Sequence, residues 1–233
     1  KGKILGSGLT DNFGAFSATI EGASSEGQYL MACVETGSYT EEASGVEIEL
    51  EDGDALCGVK KFNPTEPFSI VINPWSNLAA AKAQHSIKQG TGVDDAVSSA
   101  NLAISNVYGF DILNTVPRDL TDIGQTGQPY DEKMRMGNAI AGISQYVLNA
   151  AKGVGVNAHN NQFSSIKMHQ IMYNDILTDG MLDGIGLSND GNSNVTLGIG
   201  NELFDRETST KDVALASIEF VRSDKNKTDV SAD

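Results

Sequence analysis

The spacing of apolar residues changes its period near residue 73, and this change constrains the fold more than any other feature of the chain. Before it, apolar and polar residues alternate, as in Val46–Leu50, which has one apolar and one acidic face. Such alternation is typical of half-buried strands. After it, Asn73 and Pro74 can begin a helix, because asparagine caps helices and proline fits the first turn. The sequence therefore predicts an α+β fold, with an antiparallel β-sandwich module over residues 1–72 and an all-helical module over residues 73–233.

Short strands and longer helices are expected on the two sides of this boundary. Extended runs separated by Gly, Ser, Asn or Pro predict the strands of a small sandwich, at 16–20, 29–35, 46–50, 56–60 and 68–72. Apolar residues at i, i+3, i+4 and i+7 predict helices, at 74–90, 93–108, 130–152, 162–177 and 210–221. The stretch 179–200 is rich in Gly, Asn and Ser, and we expect a loop there with room for a small hairpin.

The chain is strongly acidic. Its 31 Asp and Glu residues outnumber its 16 Lys and Arg residues, which gives a formal net charge of -15. Such a charge repels nucleic acids and anionic lipid surfaces and attracts divalent cations. No apolar run approaches the roughly 20 residues that a membrane-spanning helix needs. We therefore predict no nucleic-acid partner and no membrane-spanning segment.

Both cysteines, Cys33 and Cys57, lie in runs that alternate like strands. If these strands are neighbours in one sheet, the cysteines can form a disulfide that closes a loop of roughly 25 residues and stabilises the fold by about 3 kcal/mol. The alternative is a pair of buried free thiols. The acidic character of the chain is typical of an extracellular protein in an oxidising compartment, which favours the disulfide.

No motif for catalysis is present in the sequence. His85, His159 and His169 lack the i, i+4 spacing of a helical zinc site, and no serine lies in a G-x-S-x-G turn. The glycines form neither a phosphate loop nor a dinucleotide fingerprint. The sequence therefore predicts no catalytic residue. A hydrolase would remain an alternative if the fold placed one of the histidines beside a carboxylate and a nucleophile.

One acidic cluster lies at and after the end of the fourth predicted helix. It consists of Asp175, Asp179, Asp183 and Asp190, with glycines between them. Carboxylate oxygens with intervening glycines are what a calcium site requires, and calcium is the one cofactor for which the sequence gives an argument. The aspartates are spaced by four residues, however, rather than by two as in an EF-hand. The alternative, which we favour, is that their side chains bond to nearby backbone in turns.

Three aromatic residues are candidates for a binding surface, because they could stack on a carbohydrate or another ligand: Tyr39, Trp75 and Tyr130. Aromatic residues make up only 6% of the chain, which argues against this function. Tyr39 lies in the polar segment 36–45. This segment is either a loop that faces a ligand or partner, or a tight connection in which Tyr39 packs on the sandwich.

Five segments carry a resemblance to known proteins: LTDNFGAF at 9–16, GSYTEEASG at 37–45, VINPWSNLA at 71–79, FDILNTVPRDL at 110–120 and LTDGMLDG at 177–184. Together they resemble a group of bacterial surface proteins and lipoproteins. These proteins begin with a carboxypeptidase-regulatory-like, or transthyretin-type, β-sandwich and continue with a helical region. The resemblance spans most of the chain and implies a surface location and this architecture rather than an activity. The chain departs from the group at Trp75 and in its two cysteines.

The resemblance also implies a strand that leads into the first one of this chain. If the sandwich lacks that strand, the edge at Ile4 and Leu5 is open to strand addition. Its occupant would be a bound N-terminal peptide or a strand from a neighbouring subunit in a filament. We therefore predict a non-enzymatic extracellular or cell-surface protein with a structural or adhesive function and a protein partner. The alternative is a module that binds carbohydrate or another ligand. Residues 1–5 contain no apolar signal core, so we expect that any export signal has been removed.

Overall fold

The computed structural model describes residues 4–11, 14–20, 22, 27–187, 194–203 and 208–231. This part of the chain contains five α-helices, one short 3-10 helix and eight short strands, so a mixed α and β composition is confirmed. The strands are β1 (Tyr29–Val34), β2 (Ser38–Thr40), β3 (Glu47–Glu49), β4 (Leu56–Lys61), β5 (Ile185–Leu187), β6 (Asn194–Thr196), β7 (Gly198–Ile199) and β8 (Glu202–Leu203). The helices are α1 (Pro74–Lys88), α2 (Val93–Tyr108), α3 (Glu132–Gly153), α4 (Ser165–Asp179) and α5 (Thr208–Val221), with the 3-10 helix at Ile123–Gln125.

Capping residues set the helix boundaries. The Asn73 side chain accepts hydrogen bonds from the amides of Trp75 and Ser76, and the Asn73 amide donates to Ser76 Oγ. Helix α1 therefore begins at the predicted residue, with a reciprocal capping box. Helices α2 and α4 end at Gly109 and Gly180, whose φ angles of 73° and 85° lie in the left-handed region that favours glycine. All five predicted helices are confirmed to within a few residues.

The N-terminal strands form two separate antiparallel pairs. Strand β1 pairs with β4, with Cys33 directly opposite Cys57. Strand β2 pairs with β3, with Tyr39 opposite Ile48. Every sheet among the described residues has two strands, so the predicted β-sandwich is not formed there.

Helices occupy the position that a second sheet would take in a sandwich. Val59 of β4 packs in one cluster with Ala80 and Ala83 of α1 and with Val97 and Ala100 of α2. An apolar sheet face that is covered by helices has no need of a second sheet. Residues before and after position 73 thus share a hydrophobic cluster, and a division into two modules at that position stays a prediction.

Helix α3 packs closely on α5 through a glycine, Gly142. A Cβ atom at Gly142 would lie 1.9 Å from Ser217 Oγ and 3.2 Å from Ser217 Cα, so only glycine permits this approach. Apolar side chains of α1, α3 and α4 fill the largest core, among them Trp75, Leu78, Met136, Ile143, Val147, Met168 and Met172.

The N-terminal segment folds back on itself with little regular pairing. Thr10 and Phe16 form an isolated antiparallel bridge. A Cβ atom at Gly6 would lie only 2.4 Å from the carbonyl oxygen of Thr19, so the two runs of this segment lie side by side. The backbone from residue 4 to residue 9 is not in a strand, and the edge strand predicted at Ile4 and Leu5 is therefore not formed.

The Gly- and Asn-rich stretch contains the small hairpin for which the sequence left room. Strand β5 pairs with β6 around residues 188–193, which lie outside the described residues, and β7 pairs with β8.

The C-terminal segment is docked on the loop that precedes α3. The Lys227 amide donates to the Leu120 carbonyl oxygen at 2.8 Å, and Thr126 Oγ1 donates to the Lys227 carbonyl oxygen at 2.9 Å. The Gly127 amide donates to the Asp229 carboxylate at 2.7 Å. These bonds fix the C-terminal segment and the loop to each other.

Candidate functional site

The predicted disulfide between Cys33 and Cys57 is present. It joins two residues that face each other in the β1–β4 pair. The Cys57 amide donates to Asn77 Oδ1 at 3.0 Å, and the Cys57 carbonyl oxygen accepts from Ser76 Oγ at 3.0 Å. The cross-linked strand pair is therefore bonded to the first turn of α1.

The three aromatic candidates differ in how far their side chains are exposed. Trp75 is buried in the largest core, with its ring 5.3 Å from the ring of Tyr108 and 5.1 Å from that of Phe110, centroid to centroid. The prediction of Trp75 as a stacking platform is therefore wrong, because a side chain that fills the core presents no face to a ligand. Tyr39 is half-buried and donates its hydroxyl to Glu41, as expected of a packed connection. Tyr130 is exposed.

The aspartates of the predicted calcium cluster bond to backbone amides. Asp179 Oδ1 accepts from the Met181 amide at 2.8 Å, and Asp183 Oδ1 accepts from the Ile185 amide at 3.0 Å. This is the turn chemistry of the favoured alternative.

Asp175 has a different role from the other aspartates. It is fully buried, and its Oδ2 accepts from the Gly184 amide at 2.9 Å. Burial, with the charges of Asp183 and Asp179 nearby, raises the pKa of Asp175 to about 6. Asp190 lies outside the described residues. Within the described part of the chain, no three His, Cys, Asp or Glu side chains are grouped so that they could hold a metal ion.

The most elaborate polar cluster surrounds Glu41, which the sequence did not single out as a site residue. This side chain is fully buried beside β2. Its Oε1 accepts from the Tyr39 hydroxyl at 2.8 Å and from the Ser165 amide at 2.6 Å. Its Oε2 accepts from the hydroxyls of Ser144 and Ser165, both at 2.7 Å. Four donors from three elements thus converge on one buried carboxylate, as burial of a charge requires.

His159 extends this cluster on the other side. Its Nε2 lies 2.9 Å from the Ser144 carbonyl oxygen and 3.6 Å from Glu41 Oε2. Because a carbonyl oxygen can only accept, Nε2 carries the proton of the neutral ring. The Nδ1 atom then accepts from Ser44 Oγ at 2.7 Å. Burial lowers the pKa of His159, which favours the neutral form.

The fold thus places a histidine beside a carboxylate and a serine hydroxyl, the arrangement on which the hydrolase alternative depends. The Ser44 hydroxyl also accepts from the Val46 amide at 3.2 Å. Glu41 and His159 are buried. A nucleophile and base that serve catalysis must be reached by a substrate, whereas each of these groups is engaged by a neighbour in the fold. The contacts of this cluster fasten the turn after β2 to α3 and α4.

A cavity of about 300 Å³ opens beside the same turn. Three chain segments form it: the connection between β2 and β3, the loop around residue 120, and the C-terminal segment. Its lining residues are Thr40, Glu41, Glu42, Gly45, Asp119, Thr121, Lys225 and Lys227.

Four titratable side chains line this cavity without forming ion pairs with one another. Among the described residues, no ion pair involves Glu42, Asp119, Lys225 or Lys227. Partial burial, with the carboxylates of Glu41 and Asp119 nearby, raises the pKa of Glu42 to about 8. A perturbed carboxyl group in a concave site is a common mark of a functional position.

Sequence reasoning missed this cavity because its walls come from distant parts of the chain. Lys225 and Lys227 lie in a segment that reads as a polar tail. One signal could have indicated order there, since Asn226 and Thr228 are typical turn residues. Asn226 Oδ1 indeed accepts from the Thr228 amide at 3.0 Å.

The chain matches no known protein family, no curated protein sequence and no solved structure. In the part of the chain that the structure describes, no helix has the length and apolar character needed to cross a membrane.

Proposed function

We propose that this chain is a non-enzymatic structural or adhesive module of an extracellular protein, which joins to other copies by strand addition at its N-terminal segment. The observation that carries the proposal is the exposure of apolar side chains on that segment. Ile4 is 86% exposed and Leu9 is 90% exposed, and Phe16 and Ile20 are also exposed. Isolated apolar side chains on a surface need no explanation, but four within one short segment are typical of an interaction site.

The backbone of this segment supports strand addition rather than another mode of binding. Thr10 and Phe16 form one isolated bridge, and none of the described residues in 4–20 belongs to a strand, so no regular sheet ladder takes up the backbone of this segment. Extended backbone with unmet hydrogen bonds is the usual template for an added strand. A strand from a second copy would supply these bonds and cover the apolar side chains.

The disulfide supports the extracellular part of the proposal. Disulfides persist in oxidising compartments and are rare in the reducing cytosol. The acidic net charge of -15 suits a protein that stays soluble in the open medium.

The non-enzymatic part rests on the contacts around Glu41. Of the groups that resemble a catalytic constellation, Glu41 and His159 are buried and Ser44 is half-buried. Glu41 accepts four hydrogen bonds, and His159 lies between Ser44 and Ser144. These contacts hold the β2–β3 connection to α3 and α4, which is a structural role.

Sedimentation velocity over a range of protein concentrations tests the proposal. We expect reversible growth in mass with concentration, and loss of that growth when Leu9 and Phe16 are both changed to serine. A matched control is Val107→Ser, because Val107 is also exposed, at 76%, but lies on α2. A chain that stays monomeric at all concentrations would overturn the proposal, and so would assembly that survives the double substitution.

A further inference from the structure

We propose that the cavity between the β2–β3 connection, the loop around residue 120 and the C-terminal segment binds a small zwitterionic molecule of amino-acid size. This inference is independent of the assembly proposed above, because it concerns a different surface. It follows from the rigidity of the cavity walls, from their charges and from their volume.

The walls of the cavity are fixed before any ligand binds. The Glu41 carboxylate holds the β2–β3 connection to α3 and α4 through the hydroxyls of Ser144 and Ser165. The opposite wall is held by the bond from the Lys227 amide to the Leu120 carbonyl oxygen. A preformed site binds more tightly because fewer groups lose freedom on binding.

Charges of opposite sign lie on different walls of the cavity. Lys225 and Lys227 belong to the C-terminal segment, whereas the Asp119 carboxylate belongs to the loop around residue 120. Glu42 lies on the third wall, and because its pKa is raised to about 8, its carboxyl group is protonated below that pH and acts there as a neutral hydrogen-bonding group. The Lys225 ammonium lies 3.5 Å from the position that a Cβ atom at Gly45 would occupy, so it faces the connection that carries Glu42.

The cations and the carboxyl groups nevertheless form no ion pairs with one another. The Lys227 ammonium donates to the Asp224 carbonyl oxygen, which is neutral, so its charge has no counter-ion among the described residues. A molecule with both a carboxylate and an ammonium group would pair with the lysines through the first group and with Asp119 through the second.

Thr121 orients the Asp119 carboxylate, which is the acceptor for a ligand ammonium group. Asp119 Oδ1 accepts from the amide and the hydroxyl of Thr121, at 2.7 Å and 2.6 Å. These bonds fix the carboxylate, so that its other oxygen is the one available to a ligand ammonium. Glu41 is not available in the same way, because its oxygens are engaged by Tyr39, Ser144 and Ser165.

The volume limits the size of the ligand. About 300 Å³ is at the lower end of the range for ligand-binding cavities, and a single amino acid fits it better than a peptide or an oligosaccharide. The hydroxyls of Thr40 and Thr121 provide neutral hydrogen-bonding groups for a polar side chain.

Isothermal titration calorimetry with three matched probes tests the proposal: L-glutamine, L-glutaminamide, which lacks the carboxylate, and N-acetyl-L-glutamine, which lacks the ammonium. We expect saturable binding of glutamine, with each of the other two probes bound about tenfold more weakly. No binding of glutamine at millimolar concentration would overturn the proposal. Equal binding of all three probes, or tighter binding of a singly charged probe, would also overturn it.

Substitutions then locate the site on the protein. Changing Lys225 and Lys227 together to alanine should weaken glutamine binding about tenfold while leaving N-terminal assembly unchanged. Asp119→Asn provides a second variant for the ammonium side, in case the double variant unfolds. Lys88→Ala is the matched control, since Lys88 is an exposed lysine at the end of α1. Glutamine affinity that is unaffected by the cavity variants would overturn the assignment.

Discussion

Replacing Glu41 by alanine tests the idea that one buried carboxylate fastens the β2–β3 connection to the helices. The substitution removes the acceptor of four hydrogen bonds, from Tyr39, Ser144 and twice from Ser165. Buried donors that lose their partner cost about 1–3 kcal/mol each, and the costs are not additive because the hydroxyls can turn to other acceptors. Part of the loss is offset because a charge no longer has to be buried. We therefore expect the free energy of unfolding to fall by about 4 kcal/mol.

Glu41→Gln separates the charge from the shape of the side chain. One oxygen of the amide still accepts, and the serine hydroxyls can reverse to accept from the new NH₂ group. The expected loss is therefore smaller, at about 1–2 kcal/mol. Glu49→Ala is the matched control, because Glu49 is an exposed carboxylate on the neighbouring β3 and should change stability by less than about 0.5 kcal/mol.

Urea unfolding measures these differences with two independent signals. Far-UV circular dichroism follows the helices, and the fluorescence of Trp75, the single tryptophan of the chain, follows the largest core. Coincident transitions justify a two-state treatment. A loss of less than about 1 kcal/mol for Glu41→Ala would refute the reasoning, as would equal losses for the alanine and glutamine variants.

Three further substitutions have outcomes that the structure fixes. Gly142→Ala should destabilise the fold by about 2 kcal/mol in urea unfolding, because the new Cβ atom collides with Ser217 on α5. Gly153→Ala is the control, since Gly153 lies in open space at the end of α3, and it should be neutral or slightly stabilising. Equal effects of the two substitutions would contradict the close packing of α3 on α5. His169 is buried, and burial lowers its pKa to about 3, so the folded state excludes a proton that the unfolded chain binds below pH 6.5. The melting temperature should therefore fall as the pH falls from 6.5 towards 3, and His169→Leu should reduce that fall. An equal fall in the His169→Leu variant would contradict this reasoning. The pKa of Glu42 is raised from 4.5 to about 8, so stability should fall as the pH rises between these values. Glu42→Gln should remove that fall, and a persistent slope would show that another group titrates.

Local patterns predicted the helices of this fold well and the sheets less well. Asn73 and Pro74 mark the start of α1, and Gly109 marks the end of α2, because capping and helix termination depend on a few adjacent residues. Alternation indicated β1, β3 and β4, but the strands predicted at 16–20 and 68–72 are not formed, and β2 lies in the segment 36–45, which was predicted as a loop or connection. Alternation could not indicate that Val59 would pack against α1 and α2 rather than a second sheet, since a strand face and its partner are separated by many residues.

The polar cluster was beyond the reach of sequence patterns for the same reason. Glu41 is separated by 103 residues from Ser144 and by 124 from Ser165. Nothing near residue 41 distinguishes a carboxylate destined for the interior from one destined for solvent. The pairing of Cys33 with Cys57 was predictable because both residues already lay in strand-like runs.

The disulfide has a consequence for a protein under tension. Cys33 and Cys57 enclose β2, β3 and the turn that carries Glu41. A pulling force applied along the chain would pass from one cysteine to the other through the covalent bond, because that route is the shortest. The enclosed residues would therefore carry no direct tension, and the bonds of Glu41 to α3 and α4 would be stressed only when those helices themselves begin to move.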